Sequence, residues 1–166
     1  SKLDLDEQLV TRISYLLSRD IQSNLKRLES LGIFPLTRAD TDYPEKYRQR
    51  LKDSAPAVLF YAGEKALLGQ PGIAVVGSRH LDEAGQECAR FVGNACGMSG
   101  QVLYSGGAKG VDTISAESAL EARGTAVGVL AGAVGEDVIA ETLAAQFAAW
   151  PLLASNARGI ALAATV

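Results

Sequence analysis

Two glycine-rich turns, each carrying one cation, are the segments best suited to chemistry in this sequence. Residues 77–79 (Gly-Ser-Arg) and residues 105–112 (Ser-Gly-Gly-Ala-Lys-Gly-Val-Asp) each directly follow a short apolar run. Glycine lets the backbone approach a ligand closely, and the free N–H groups of a following helix attract an anion. Because Arg79 and Lys109 add one positive charge to each turn, the pair predicts a rim that binds phosphate groups.

The predicted phosphate-binding residues come from both turns: Gly77, Ser78, Arg79, Ser105, Gly106, Gly107, Lys109 and Gly110. One strand-to-helix turn can need glycine for geometry alone, but two turns with paired cations favour phosphate binding. The turns match neither G-x-G-x-x-G nor G-x-x-x-x-G-K-[ST], so a dinucleotide or Walker site is not indicated. We interpret Asp112 as a helix N-cap rather than as an acid or base.

The remaining reactive side chains indicate no catalytic or metal site. His80 is the single histidine, and the pattern offers it no Ser or Cys partner, so we interpret it as a turn or surface residue. Cys88 and Cys96 lie eight residues apart on one apolar helical stripe, which predicts two buried, reduced thiols rather than a disulfide or zinc site. We therefore expect no catalytic residue, no metal and no cofactor.

Alternating strands and helices between residues 72 and 131 must position the turns. Strand patterns at 73–76, 101–104 and 125–131 enclose helical patterns near 82–97 and 112–123. The unbroken apolar run 73–76 is typical of a strand buried on both faces, and Asp82 is placed to cap the first helix. The order predicts an α/β fold with a doubly wound, mostly parallel sheet, whose ligand crevice lies at the carboxyl ends of the strands.

The segments before residue 72 do not show this alternation of strands and helices. Residues 5–31 show helical spacing of apolar side chains, which predicts one long or two short amphipathic helices, with Gly32 as the C-cap. Residues 46–52 indicate a short helix with a solvated face, and residues 57–61 a strand. We divide the chain into a small helical N-terminal extension, residues 1–35, and an α/β domain, residues 36–166.

The last 35 residues carry weaker signals. Residues 136–149, which include Phe147, can form a helix, and residues 151–154 a final strand. Trp150 and Phe147 are interpreted as core or interface residues, because no aromatic ladder suggests base stacking. We expect the pattern of the α/β domain to be incomplete after residue 131.

Composition limits the classes of partner. The 166 residues are 48% hydrophobic and 21% charged, which suits a folded globular domain. The net charge of −3 excludes a generic polycationic coat for nucleic acid but not a local basic patch. Charges run through residues 1–30 without a signal-peptide core, and no apolar run is long enough to span a bilayer, so a cytoplasmic protein is predicted.

The order of these motifs resembles the DNA-processing protein A (DprA/Smf) family over residues 36–131. The resemblance rests on these residues: Tyr43-Pro44, Leu51, Pro56, Leu59, Gly63, residues 73–79, Gly85, residues 105–112, Ala119-Leu120, Gly124 and residues 127–130. It implies an extended Rossmann-like fold that binds single-stranded DNA and loads a RecA-type recombinase during natural transformation in competent cells. It further implies a homodimer without catalytic activity, with both turns in the DNA-binding pocket.

Two departures separate the sequence from the family pattern. Ser115-Ala116 stands where the family commonly has Ala-His, and the later Arg-Asn-Arg segment and Ser-Gly-rich turn are not found. An enzyme or nucleotide sensor of the related phosphoribohydrolase type is the alternative, although its Pro-Gly-Gly-x-Gly-Thr turn is absent. A Rossmann-like partner module without its own ligand is the third hypothesis, because fold alone does not decide function.

Overall fold

The structure is a computed structural model that describes residue 11, residues 21–131 and residues 159–164. Six strands form one sheet. In chain order they are β1 (Ile33–Thr37), β2 (Val58–Ala62), β3 (Gly72–Ala74), β4 (Val102–Ser105), β5 (Thr125–Ala131) and β6 (Gly159–Ala164). Across the sheet the order is β1-β2-β6-β5-β4-β3. Strands β3 to β6 are parallel, whereas β2 runs antiparallel to β6 and β1 antiparallel to β2.

Four α-helices lie in the described ranges: α1 (Ile21–Ser30), α2 (Glu45–Leu51), α3 (Glu83–Met98) and α4 (Val111–Glu121). Asp82 caps α3 as predicted, its carboxylate accepting a hydrogen bond of 2.8 Å from the Gly85 N–H. Gly32 follows α1 with φ +72°, a left-handed conformation that suits glycine at the predicted helix end. Strand β1 crosses the predicted domain boundary at residues 35/36, and the division into two domains stays a prediction.

The sheet has an apolar core on each face, because successive side chains of its strands point to opposite faces. In β4, Leu103 packs beneath α3 and α4, whereas Val102 faces the other layer. The first core contains Leu28, Ile33, Phe60, Ala62, Cys96, Leu103, Ala116, Ala119, Ala126 and Leu130. The second core contains Leu36, Tyr43, Leu59, Leu67, Leu68, Val102 and Val127. Burial of each large aliphatic side chain contributes about 1.5–3 kcal/mol.

Helices α3 and α4 approach each other closely because glycine lines the contact. A Cβ added at Gly93 would overlap the carbonyl oxygen of Ser115, and one added at Gly97 would overlap that of Ala119. Ser115 is fully buried there, which explains a small side chain at this position. The close contact fixes the start of α4 relative to the segment that leads into α3.

The predicted strand–helix–strand–helix–strand unit over residues 72–131 is confirmed, with three parallel strands in the order β5-β4-β3. The described residues do not confirm the doubly wound arrangement, since α3 and α4 pack against each other and cover one sheet face. The opposite core is lined by the segment between β1 and β3.

Two predictions about burial are wrong. Strand β3 is not buried on both faces: it has three residues, lies at the sheet edge and pairs with β4, so that Ile73 is 44% exposed and Val76, beyond the strand, 75%. Cys88 is exposed, because it lies on the side of α3 turned away from the core, whereas Cys96 is buried as predicted. Burial raises the pKa of the Cys96 thiol.

Strand β6 was not predicted, and it inserts between β5 and β2. The sequence indicated a final strand at residues 151–154 and a helix at 136–149, and both segments lie outside the described residues, as do Phe147 and Trp150. Most of the predicted N-terminal helical stretch before Ile21 also lies outside them.

Candidate nucleic-acid interface

The two glycine-rich turns lie side by side, because they leave the carboxyl ends of neighbouring parallel strands. The first turn follows β3 and the second follows β4. They are joined directly by the backbone, since the Val111 N–H donates a hydrogen bond of 3.1 Å to the Ser78 carbonyl oxygen. The structure thus brings all eight predicted site residues into one pair of adjoining turns.

Asp112 ties the two turns together. Its buried carboxylate accepts hydrogen bonds from the N–H groups of Gly106 (3.1 Å) and Ala108 (3.4 Å) in the second turn. It also accepts one from the Gly77 N–H (3.3 Å) in the first turn. The interpretation of Asp112 as the N-cap is wrong, because Gly110 occupies the cap position and Asp112 is the second residue of α4. Its partners lie up to 35 residues away in the sequence. The short-range patterns that indicate helix caps therefore could not predict these hydrogen bonds.

Two of the glycines are required by close approach. Gly110 has φ +86°, and a Cβ there would overlap the Ser78 carbonyl oxygen. A Cβ at Gly77 would meet the Val111 side chain at 2.6 Å. These glycines let the backbones of the turns pack against each other, so part of the glycine signal in the sequence is structural.

The two serines of the predicted site differ in the hydrogen bonds that their hydroxyl groups form. The Ser78 hydroxyl is used within its own turn, donating to the His80 carbonyl oxygen at 2.7 Å and accepting from the His80 N–H at 3.1 Å. His80 is exposed, as its interpretation as a turn residue requires. Ser105 is 3% exposed, and its hydroxyl has no hydrogen-bond partner. Such an unsatisfied buried hydroxyl costs free energy, and it lies at the carboxyl end of β4 where the second turn begins.

The cations point outward from this rigid pair of turns. Arg79 and Lys109 are exposed, and neither forms an ion pair with a residue that the structure describes. Elsewhere, Lys65 pairs with Asp42 at 2.5 Å, and this partner raises the pKa of Lys65 through a hydrogen bond. The cations of the turns therefore differ from a paired surface lysine, since their charges are available to an anion.

The arrangement is chemically a glycine-rich rim that carries two exposed cations. Within residues 21–131 and 159–164, no group of three or more His, Cys, Asp or Glu side chains could hold a metal ion. The adjoining position of the two turns agrees with the sequence analysis, which missed the Asp112 tie, and the binding of phosphate by these residues stays a prediction. In the same ranges, no helix has the length and apolar character needed to cross a membrane.

Fold and turns together define an α/β domain with a candidate phosphate-binding rim at the carboxyl edge of a parallel sheet. A model of the family described as DNA recombination-mediator protein A matches residues 35–150, which is more than half of the chain. The chain belongs to this family, also known as DprA/Smf.

Curated relatives agree with the assignment. Protein Smf of Synechocystis is 34% identical over 99 residues, 57% of this chain and 24% of that protein. DNA processing protein DprA of Bacillus subtilis is 35% identical over 78 residues, 46% of this chain and 26% of that protein. DprA of Streptococcus pneumoniae is 39% identical over 77 residues, 46% of this chain and 27% of that protein. The matches thus cover about a quarter of these relatives' length.

Two solved structures share the fold. DprA from Streptococcus pneumoniae superposes with a TM-score of 0.64 at 23% identity, covering 96% of this chain and 52% of that one. DprA from Helicobacter pylori, whose structure is described as showing a single-stranded DNA binding mode, gives a TM-score of 0.53 at 20% identity, covering 79% and 54%. At these identities the likeness concerns the fold, and it extends over about half of each solved chain.

Proposed function

We propose that the chain binds single-stranded DNA across the paired turns and acts as a recombination mediator rather than as an enzyme. The observation that carries the proposal is the rim: two turns held rigidly together with their two cations exposed. Family membership and the single-stranded DNA binding described for the Helicobacter pylori relative support it.

The rim suits a phosphate chain because affinity for nucleic acid comes mainly from cations that neutralise phosphates. Arg79 and Lys109 supply two such charges on adjoining turns, and phosphate contacts of this kind carry no sequence information. A net charge of −3 for the whole chain does not oppose this, because a local pair of cations acts at short range.

Asp112 favours a strand lying over the rim rather than a nucleotide buried between the turns. Its carboxylate already accepts the N–H groups of Gly77, Gly106 and Ala108, which would otherwise be donors for a phosphate. A negative charge behind the turns also repels an anion that penetrates deeply. Contact with a strand therefore rests on the outward side chains of Arg79 and Lys109 and on the remaining backbone donors.

Further roles follow from the family resemblance and belong to the same proposal. The mediator delivers single-stranded DNA to a RecA-type recombinase during natural transformation in competent cells, works as a homodimer and acts in the cytoplasm. The doubly wound sheet predicted from the sequence is part of the proposal as well. In such a sheet the open edge of β3 is the point from which the second half continues.

A binding titration with labelled oligo-dT and with a free nucleotide tests the proposal. The wild-type chain binds oligo-dT and does not bind the nucleotide tightly. The double variant Arg79→Ala/Lys109→Ala loses roughly tenfold or more in oligo-dT affinity, since it lacks two charge-assisted contacts. Changing the base composition of the oligonucleotide leaves the loss nearly the same.

The matched control removes two cations elsewhere. Lys46 and Arg50 lie exposed on α2, and the double variant Lys46→Ala/Arg50→Ala changes net charge equally. The control is expected to keep wild-type affinity. If both double variants lost the same oligo-dT affinity, the loss would reflect overall charge and not the rim. Tight nucleotide binding without oligo-dT affinity would favour the phosphoribohydrolase-like alternative.

A further inference from the structure

His80 has a side chain that takes no part in holding the first turn together. Its backbone is held by Ser78, whose hydroxyl donates to the His80 carbonyl oxygen at 2.7 Å and accepts from the His80 N–H at 3.1 Å. The imidazole is exposed and forms no hydrogen bond or ion pair with a residue that the structure describes. Since the contacts with Ser78 involve backbone atoms of His80, the geometry of the turn does not explain an imidazole at this position.

The position of His80 is beside both cations of the rim. His80 directly follows Arg79, and the backbone of Arg79 packs so closely on the second turn that a Cβ at Gly110 would lie 2.8 Å from the Arg79 Cα. Gly110 in turn directly follows Lys109. Because the backbones of the two turns are in contact, the exposed side chains of Arg79, His80 and Lys109 originate from one small region of the surface.

The carboxylates near His80 do not occupy its ring. The charged groups of the segments that adjoin His80 are Arg79, Asp82, Glu83, Lys109 and Asp112. Asp112 is buried behind the turns, where it accepts three backbone N–H groups, and Asp82 accepts the Gly85 N–H at 2.8 Å. Glu83 is exposed at the start of α3, and no described carboxylate pairs with the imidazole. An anion that reaches His80 therefore does not have to displace a carboxylate of the described chain.

We propose that His80 is a third phosphate-binding residue of the rim and that its protonation strengthens the binding of single-stranded DNA at mildly acidic pH. This inference rests on the proposed function, because it adds a contact to the strand that Arg79 and Lys109 bind. A protonated imidazole is a cation with two N–H donors, whereas the neutral ring has one donor and no charge. Histidine is the side-chain type that ordinarily changes charge between about pH 5 and 8. The number of cations on the rim thus rises from two to three as the pH falls through this range.

The surroundings of His80 favour a phosphate over a base as its partner. Two cations lie beside it, and cations that neutralise phosphates supply most of the affinity for nucleic acid. A contact between the imidazole and a phosphate gains strength from the added proton, because a hydrogen bond from a charged donor is stronger than one from a neutral donor. Contacts to phosphate carry no sequence information. His80 is therefore expected to change the affinity for single strands with pH and to leave any preference among bases unchanged.

The affinity of the whole chain for oligo-dT at pH 5.5 and pH 8, each measured at several salt concentrations, tests the inference. His80 is the single histidine of the 166 residues, and thymine has no group that titrates in this range. The wild type is expected to bind roughly threefold or more tightly at pH 5.5, because it gains one charge-assisted contact. The slope of log affinity against log salt is expected to be steeper at pH 5.5 by about 0.7.

Two variants of His80 separate its charge from other roles of the ring. His80→Gln keeps a side chain that forms hydrogen bonds but carries no charge, and it is expected to have the same salt slope at both pH values. His80→Arg carries a permanent charge and is expected to have the steeper slope at both. Thermal melts at each pH show that the variants are folded, as expected at an exposed site. A His80→Gln protein that loses as much affinity at pH 8 as at pH 5.5 overturns the proposal, because the contact then does not depend on charge.

The matched control moves the histidine to the other end of the sheet. Gln101 is exposed and directly precedes β4, so it lies at the amino end of the strand whose carboxyl end carries the second turn. The double variant His80→Gln/Gln101→His has the composition of the wild type and is expected to bind with the same salt slope at both pH values. If it keeps the pH dependence of the wild type, the effect reflects overall charge, and the proposal is overturned.

The outcomes for the wild type distinguish this inference from the proposed function. A wild type that binds oligo-dT with the same salt slope at pH 5.5 and pH 8 overturns the role of His80, while binding by Arg79 and Lys109 stands. Absence of oligo-dT binding at both pH values overturns both.

Discussion

Two exposed surfaces of this molecule differ in how far the chain satisfies them from within. At the turns, Asp112 accepts hydrogen bonds from three backbone N–H groups, and Arg79 and Lys109 remain exposed. On the outer side of α3, Phe91 and Met98 are exposed without a described partner. Binding of a charged polymer requires a few cations held on a fixed backbone, whereas binding of a protein partner requires apolar area.

The largest effect is expected at the contact that supports both surfaces. Gly93→Val places a branched side chain against the Ser115 carbonyl, which cannot move without shifting α4. We expect destabilisation of about 3 kcal/mol or more and loss of both surfaces together. Chemical denaturation measures this, with Gly69→Val as the control, because a Cβ at Gly69 has open space around it. Equal stability of the two variants would show that α3 and α4 are not tightly packed.

The next largest effect is expected from loss of the Asp112 carboxylate, compared with loss of a carboxylate that caps a helix outside the rim. Asp112→Ala removes the acceptor of three N–H groups and is expected to cost about 3 kcal/mol of stability and to weaken oligo-dT binding. Asp82→Ala, which removes only the cap of α3, is expected to cost about 1 kcal/mol and to leave binding unchanged. Denaturation and titration of both variants make the comparison. An Asp112→Ala protein as stable as Asp82→Ala would contradict the tie between the turns.

The stability of the fold is expected to decline at alkaline pH because of Tyr104, which lies on β4 beside the β3 edge. The Tyr104 hydroxyl oxygen lies 2.7 Å from the carbonyl oxygen of Leu67 and 2.8 Å from that of Gln70, so its single proton is shared between two acceptors, and desolvation raises its pKa to about 12. A pKa raised on folding means that the stabilisation is complete below the ordinary value of 10 and is lost as pH rises toward 12. Tyr104→Phe should lower stability at neutral pH and flatten its decline between pH 10 and 12. The same steep decline in both proteins would assign it to other groups.

The smallest effect is expected from thiol labelling, which compares the two sides of α3 without changing the fold. Cys88 is exposed and Cys96 buried, with the pKa of Cys96 raised by burial. Thiol labelling of the native chain should modify Cys88 rapidly and Cys96 only on unfolding. Mass spectrometry after partial labelling distinguishes the sites. Rapid modification of both cysteines would contradict the packing of α3 on the sheet.

Much of the parallel unit could be predicted from sequence because its signals are local. Asp82 caps the helix three residues before its partner Gly85, and apolar runs mark β4 and β5. Whether a strand lies at an edge depends on its neighbours, so the run at 73–76 could not reveal that β3 is exposed. The small side chains of β6 give a weak strand signal, and its place beside β5 depends on a partner far away in sequence.

The candidate site was predictable to a similar degree. Glycines and cations in two turns are visible in the sequence, and parallel strands bring such turns together. The contact between Asp112 and Gly77 spans 35 residues and follows from the packed geometry alone. For the same reason the helical stripe of α3 predicted two buried cysteines, although only the side facing the sheet is covered.

The proposed function requires that Arg79 and Lys109 contact the phosphates of one DNA strand. Oligo-dT affinity measured at a series of salt concentrations tests it most directly, because each phosphate contact on a single strand contributes about 0.7 to the slope of log affinity against log salt. The double variant Arg79→Ala/Lys109→Ala is expected to remain folded and to have a slope lower than that of the wild type by about 1.4. An unchanged slope in the folded double variant would show that these two cations do not contact the phosphates.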